Sequence, residues 1–312
     1  MTAFIFPGQG SQKVGMGTEL AEASVHAHEV FEEVNEALKQ DLFALMKEGP
    51  ESELTMTANA QPAIMANSMA TVRVLEKEFG LALSDQADCV AGHSLGEYSA
   101  LCAAGAFSLT DTAKLLRLRG IAMQDAVPIG VGAMAALLGA DIEKASALAD
   151  AAAEGQVCEV ANDNDPTQVV ISGHAEAIDR AIEMAKDHGI KRGIKLPVSA
   201  PFHCSLMQPA ALRMKNALEA TSPAAFTVPI FANVTAGRVT DPAEEKSLLV
   251  DQITGRVRWR ESVLAMREGG LERFVELGGK VLGPMVGRIA TDATTVSLVT
   301  MEDLENFAKE NG

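Results

Sequence analysis

Short continuous apolar runs alternate with longer stretches of helical period along this chain. Ala3-Phe-Ile-Phe is such a run, stopped by Pro7-Gly-Gln-Gly-Ser-Gln, the pattern of a buried strand feeding a glycine-rich loop. Helical patterns rich in Glu, Ala and Leu cover residues 19–38 and 42–47. Another opens at Asn59-Ala-Gln-Pro and runs to Phe79-Gly80, with Pro62 expected in its first turn, where the missing N–H costs nothing. Cys89-Val-Ala reads as a second buried strand, and Tyr98-Ser-Ala-Leu-Cys-Ala-Ala as a helix stopping at Gly105. Ser108, with Asp111 three residues on, caps a helix that runs to about Met123.

From Ile129 to Val198 the pattern changes. A strand over 131–138, a helix over 141–153, strands at Val157-Cys-Glu-Val-Ala and Gln168-Val-Val-Ile-Ser, a helix over 175–188 and a strand over 194–198 follow in turn. The order βαββαβ is that of a ferredoxin-like unit, expected as a small subdomain (129–198) inserted into a larger one (1–128 and 199–312). The larger part resumes with a helix to about Ala220 and a strand over 226–234, then a segment starting at Leu248 that ends at Trp259, the only tryptophan. Arg273-Phe-Val-Glu-Leu, ended by Gly278-Gly279, is a late strand of the main sheet. An α/β fold with a second lobe makes a cleft, and clefts exclude water.

Composition narrows the function classes. A chain of 312 residues can bury a large core, and its 47% apolar and 22% charged residues are those of an ordinary globular protein. A formal net charge of −16 argues against nucleic acid, whose phosphates attract basic surfaces. The start carries no basic region or signal-like apolar core, and the most apolar stretch, 129–140, is too short to span a bilayer; a cytoplasmic protein without membrane partners is expected. Cys89, Cys102, Cys158 and Cys204 show no zinc spacing and read as reduced core thiols, so no metal is expected.

The chemistry centres on Gly92-His-Ser-Leu-Gly-Glu97. Strand, sharp turn and helix with Ser94 at the turn is the context of a nucleophile elbow, with glycines where a Cβ would clash. The hydroxyl then sits at a helix N-terminus, where free N–H groups favour developing negative charge. Arg119 shares a helical face with Leu115 and Leu116 and should look inward, whereas Arg117 is free to be solvated. An inward guanidinium needs an anion, and the pattern leaves a protein carboxylate and a substrate carboxylate equally open. His203 lies in a loop closed by Pro201, where the chain re-enters the larger lobe at the mouth of the cleft. The Pro7–Gln12 loop is an ordinary strand-to-helix turn or one that brings the N–H of Gln9 to a reacting carbonyl.

Taken together, P-G-Q-G-S-Q, G-H-S-L-G-E, R-G-x-x-M-Q at Arg119–Gln124, P-F-H-C at Pro201–Cys204, N-V-T at Asn233–Thr235, D-Q-I…V-R-W at Asp251–Trp259 and F-V-E-L-G-G-K-V-L at Phe274–Leu282 resemble the malonyl-CoA:acyl carrier protein transacylases. The match runs through nearly the whole chain in the family's order. It implies an α/β-hydrolase-like core with a parallel sheet and the ferredoxin-like insert. It also implies ping-pong transfer of malonyl from malonyl-CoA, through an ester on Ser94, to the phosphopantetheine thiol of an acyl carrier protein in fatty-acid synthesis, with no cofactor. His203 would be the general base, and the N–H groups of Leu95 and Gln9 the oxyanion hole. Arg119 would pair with the malonyl carboxylate, and the backbone carbonyl of Gln252 would orient His203 in place of a triad aspartate. His93 and Phe202 would line the pocket, the Phe202 ring crowding an α-methyl group.

Two departures from the family pattern stand out: Arg256 replaces the usual proline before V-x-W, and the G-P-G-K of many relatives is shortened to Gly278-Gly-Lys. An acidic carrier would need a local basic patch, for which Lys186, Lys191, Arg192 and Lys195 are the candidates. A free-standing, monomeric enzyme is expected. The competing readings are a serine esterase or thioesterase, a discrete acyltransferase serving a polyketide synthase, and a non-catalytic carrier-binding module.

Overall fold

The computed structural model describes residues 1–312. The chain begins with β1 (Thr2–Phe6) and a helical series, α1 (Thr18–Ala23), α2 (Val25–Leu38), α3 (Leu42–Glu48), α4 (Glu51–Leu54), α5 (Thr57–Glu78) and α6 (Leu83–Gln86). The elbow follows as β2 (Cys89–Gly92) and α7 (Leu95–Ala103), then α8 (Leu109–Asp125). The small unit comprises β3 (Gly132–Leu138), α9 (Ile142–Ala153), β4 (Cys158–Asp165), β5 (Gln168–His174), α10 (Ala175–Met184) and β6 (Arg192–Lys195). Returning, the chain forms α11 (Gln208–Glu219), β7 (Ile230–Phe231), β8 (Arg238–Val239), α12 (Pro242–Thr254) and α13 (Trp259–Glu268). It closes with β9 (Arg273–Leu277), α14 (Leu282–Ile289), β10 (Thr294–Leu298) and α15 (Met301–Asn311).

The main sheet has the order β10-β9-β1-β2-β7-β8, parallel except for β8. The second sheet, β4-β5-β3-β6, is wholly antiparallel, the ferredoxin-like order. Buried on both faces, β1 and β2 read as continuous apolar runs, as central parallel strands do. The large lobe's principal core lies on the α5 side of the main sheet, a second core with Trp259 lies on the other side, and the small unit has its own alanine-rich core between its sheet and α9 and α10.

Several elements differ from the sequence pattern. The helix expected over 19–38 is broken at Ser24, whose extended backbone (φ −136°) ends α1 and whose side chain caps α2. Helix α5 starts at Thr57, so Pro62 lies beyond its first turn. The strand expected over 226–234 is reduced to Ile230–Phe231, and the last strand of the small unit covers 192–195 rather than 194–198. Most consequential is β4, which continues past Ala161 through Asn162-Asp-Asn-Asp165, residues with low strand propensity.

That extension stitches the lobes together. Asp163 N–H donates to Val257 O at 2.9 Å, and Val257 N–H to Ala161 O at 2.8 Å. The buried Asp163 carboxylate takes Nε and Nη2 of Arg260 in a two-point pair, and Asp165 accepts from Arg288 Nε at 2.8 Å. Partnered burial of this kind overrides local propensity.

Candidate active site

Sterics build the elbow. A Cβ on Gly92 would stand 1.9 Å from the Gly96 carbonyl carbon, and one on Gly96 would stand 2.2 Å from Phe6 O, so β2, α7 and β1 close only around glycines. Ser94 is held at φ 55°, ψ −112°, a strained conformation for a residue with a side chain. Its N–H donates to Asn233 Oδ1 at 2.7 Å, and Asn233 Nδ2 donates to Gly92 O at 2.6 Å, clamping the turn from outside. Leu95 is the first helical residue, so its N–H has no acceptor within the helix and faces the turn.

The loop after the small unit brings His203 to Ser94: Oγ and Nε2 are 2.8 Å apart. Nδ1–H donates to the main-chain carbonyl of Gln252 at 2.8 Å, with Gly255 O at 3.2 Å. Burial, reinforced by Arg119, pushes the imidazole down to about 3, so the ring is neutral. With Nδ1 carrying the hydrogen, Nε2 is left to accept the serine proton.

Arg119 is buried, as its position on the Leu115–Leu116 face predicts. Its partners are neutral. Nη1 donates to Gln61 Oε1 at 2.9 Å, and Nη2 to Gln252 Oε1 at 2.7 Å and Ser94 Oγ at 3.1 Å. The guanidinium carbon lies 5.6 Å from the Tyr98 ring centroid, and Nε has no partner. No carboxylate touches this cation: its direct partners are two amide oxygens and the serine hydroxyl. Arg117, expected in solvent, is instead half-buried and donates to Asn59 Oδ1 and Gln40 Oε1.

A cavity of about 310 Å³ opens over these groups, lined by Gln9, His93 and Phe202 from the large lobe and Asn162, Asn164 and Gln168 from the small one. His93 Nε2 donates to Asn164 Oδ1 at 2.8 Å; burial lowers its pKa, keeping that ring neutral too. Gln9 is half-buried, its Nε2 3.4 Å from Thr57 Oγ1. Phe202 is buried beside His203. Lys186, Lys191, Arg192 and Lys195 are all exposed: Lys186 in the turn after α10, Lys191 just before β6, and Arg192 and Lys195 on β6, the edge strand of the small sheet; Lys195 is paired with Asp179 at 2.7 Å, the other three with no carboxylate. All four cysteines are buried; Cys204 Sγ donates to Pro201 O, and burial pushes its thiol up to about 11.

Sequence reasoning missed Gln61, Asn164 and the structural duty of Asn233. Gln61 left a signal as a polar side chain in a helix buried on nearly every face, and Asn233 left one as the first residue of the N-V-T motif; Asn164 left none. Of the two motif departures, Arg256 donates to Glu261 Oε1 at 3.0 Å and directly follows Gly255, whose carbonyl lies 3.2 Å from His203 Nδ1, and the Gly278-Gly279 turn packs on Ser68 and Pro7.

Chemistry of this kind, a serine with its proton acceptor beside an unneutralised cation on an α/β scaffold, is that of enzymes that move acyl groups through a serine ester. The chain belongs to the acyl transferase domain family, which it matches over residues 3–282. It is 44% identical over 305 residues to the malonyl CoA-acyl carrier protein transacylase of Bacillus subtilis, covering 97% of this chain and 95% of that one. The Escherichia coli K12 protein of the same name is 43% identical over 297 residues, covering 95% of each. Among solved structures, acyl-carrier-protein-S-malonyltransferase from Bartonella henselae superposes with a TM-score of 0.96 at 51% identity, covering 99% of this chain and 98% of that one. A malonyl-transacylase solved with its type II PKS acyl-carrier protein superposes with a TM-score of 0.95 at 38% identity, covering 99% of both chains.

Proposed function

We propose that the chain transfers the malonyl group of malonyl-CoA to the phosphopantetheine thiol of an acyl carrier protein, through a malonyl ester on Ser94, in fatty-acid synthesis. The names of its relatives support the substrate and the acceptor. The single observation that carries the reading is the buried Arg119, which donates to Ser94 Oγ yet has no carboxylate of its own.

In the first half-reaction Ser94 Oγ attacks the thioester carbon as its proton passes to His203 Nε2. The Gln252 carbonyl steadies the imidazolium through Nδ1–H. The N–H groups of Leu95 and Gln9 receive the oxyanion. The C–S bond breaks, and the proton on Nε2 goes to the departing coenzyme A sulfur. The second half-reaction reverses these roles: the carrier thiol gives its proton to Nε2, attacks the ester carbon, and Oγ leaves with that proton. Exchange of one thioester for another is nearly balanced, so neither cofactor nor metal is required. Water is the competitor. A malonyl carboxylate seated against Arg119 fixes the acyl group and fills the space water would use.

The enzyme is proposed to act as a cytoplasmic monomer; no helix is long and apolar enough to cross a membrane. Lys186, Lys191 and Arg192 are the proposed carrier contact. Incubation with malonyl-CoA and phosphopantetheinylated carrier protein tests the assignment. Malonyl-carrier should form faster than free malonate; faster release of malonate would make the protein a thioesterase.

A further inference from the structure

Beneath the site, two buried acidic side chains meet that the reaction above does not use. Glu97 stands in the first turn of α7 and Glu245 in the first turn of α12; both are essentially without solvent contact. Glu97 Oε2 accepts from Asn233 N–H at 3.0 Å and Gln252 Nε2 at 2.9 Å. Glu97 Oε1 and both oxygens of Glu245 are buried without a hydrogen-bond partner, and the two carboxyl groups face each other. The charged and titratable neighbours of Glu97 are Arg119 on α8, Tyr98 on its own helix and Glu245.

We propose that Glu97 and Glu245 are positioning residues for recognition of the substrate's free carboxylate: together they fix the Gln252 amide and, through it, the Arg119 guanidinium. This rests on the reading of Arg119 as the group that binds that carboxylate.

Ionised carboxylates only accept hydrogen bonds, so two of them facing each other in an apolar site require a proton between them. Glu245 holds it. No N–H group donates to Glu245, and burial together with the Glu97 charge pushes its carboxyl up to about 10. Burial raises the Glu97 carboxyl as well, but its two N–H donors and Arg119 oppose that rise, so of the two Glu97 is the better placed to carry the negative charge. A glutamine amide can sit either way round, but a charged carboxylate admits only its NH₂ end. Glu97 therefore turns Gln252 Nε2 toward itself and Oε1 toward Arg119 Nη2, at 2.7 Å. The same Nε2 donates to Ser94 O at 3.0 Å, tying the nucleophile to the same frame. One amide thus separates the Glu97 charge from the Arg119 charge. The guanidinium is held in place without direct neutralisation, and a substrate carboxylate remains its best partner.

Two measurements test the pair. Infrared difference spectra of the substrate-free enzyme at neutral pH, wild type minus Glu245→Gln, should contain a protonated-carboxyl carbonyl band; carboxylate bands alone would overturn the shared proton. Acylation of Ser94 is then compared for malonyl-CoA and acetyl-CoA, since only the first carries a carboxylate. Glu97→Gln should raise KM for malonyl-CoA about tenfold or more and lower the malonyl-over-acetyl preference by a similar factor. Glu245→Leu should lower that preference and Glu245→Gln, a permanent donor, should restore it. Equal losses with both thioesters, or no rescue by glutamine, would reduce the pair to a packing role. A wild-type enzyme that malonyl-CoA does not acylate would refute the functional assignment, while the infrared result would still decide the proton.

Discussion

His203 Nδ1 lies 2.8 Å from the main-chain carbonyl of Gln252, where many serine enzymes present a carboxylate. A carbonyl fixes the tautomer without adding charge. The imidazole is consequently neutral, well below its ordinary range because it is buried with Arg119 close by.

A distinct pH dependence follows. The base form is present above a folded-state value of about 3, so acylation of Ser94 should be level between about pH 5 and 8 and fall only toward strong acid. Because the folded pKa is depressed, the unfolded chain binds the extra proton between about pH 6.5 and that lower value. The His203 contribution to stability should be fully present above that window and fall as pH falls through it, whereas Glu245, raised to about 10, contributes a loss in the opposite direction as pH rises above the ordinary carboxylate range. Rapid-quench acylation and urea melts across pH check both; an acylation limb near neutrality would contradict the neutral imidazole.

Arg119→Ala should cut kcat/KM for malonyl-CoA by about 30-fold to several thousand-fold, the range for stranding one member of a desolvated charge pair. Acetyl-CoA should lose far less. Arg119→Lys should not restore the wild-type rate, because one ammonium cannot hold Gln61 and Gln252 and still present a planar fork. Steady-state kinetics with both thioesters reads the difference.

Replacing Lys191 and Arg192 with glutamate should raise KM for the carrier protein and leave that for malonyl-CoA unchanged. Both side chains are exposed with no carboxylate on them, whereas Lys195 is already paired with Asp179. The carrier effect should shrink as salt is added. Equal changes for both substrates would remove these residues from the docking surface.

Arg260→Ala leaves the buried Asp163 carboxylate unpaired at the seam between the lobes, at a cost of about 3–5 kcal/mol. Asp163→Asn in the same background should recover part of that loss. Denaturant melts of the single and double variants measure it.

Much of this site was legible because its signals are local. The glycines around Ser94, the apolar strand before it and the inward face of α8 bearing Arg119 follow from steric and periodic rules acting within a few residues. What escaped depends on partners far along the chain. Asn162-Asp-Asn-Asp165 reads as a loop until Arg260 and Arg288 arrive to neutralise it. Arg117 reads as a solvated cation until Gln40 and Asn59 fold over it. Glu245 looks like one more acid in an acidic helix start, and only the approach of α12 to α7 buries it against Glu97.

The central claim is a malonyl ester on Ser94, and intact-mass measurement after mixing with malonyl-CoA tests it most directly. A gain of one malonyl group is predicted, absent in Ser94→Ala and discharged by phosphopantetheinylated carrier protein. An adduct that persists in Ser94→Ala, or turnover with no adduct on the wild-type chain, would contradict it.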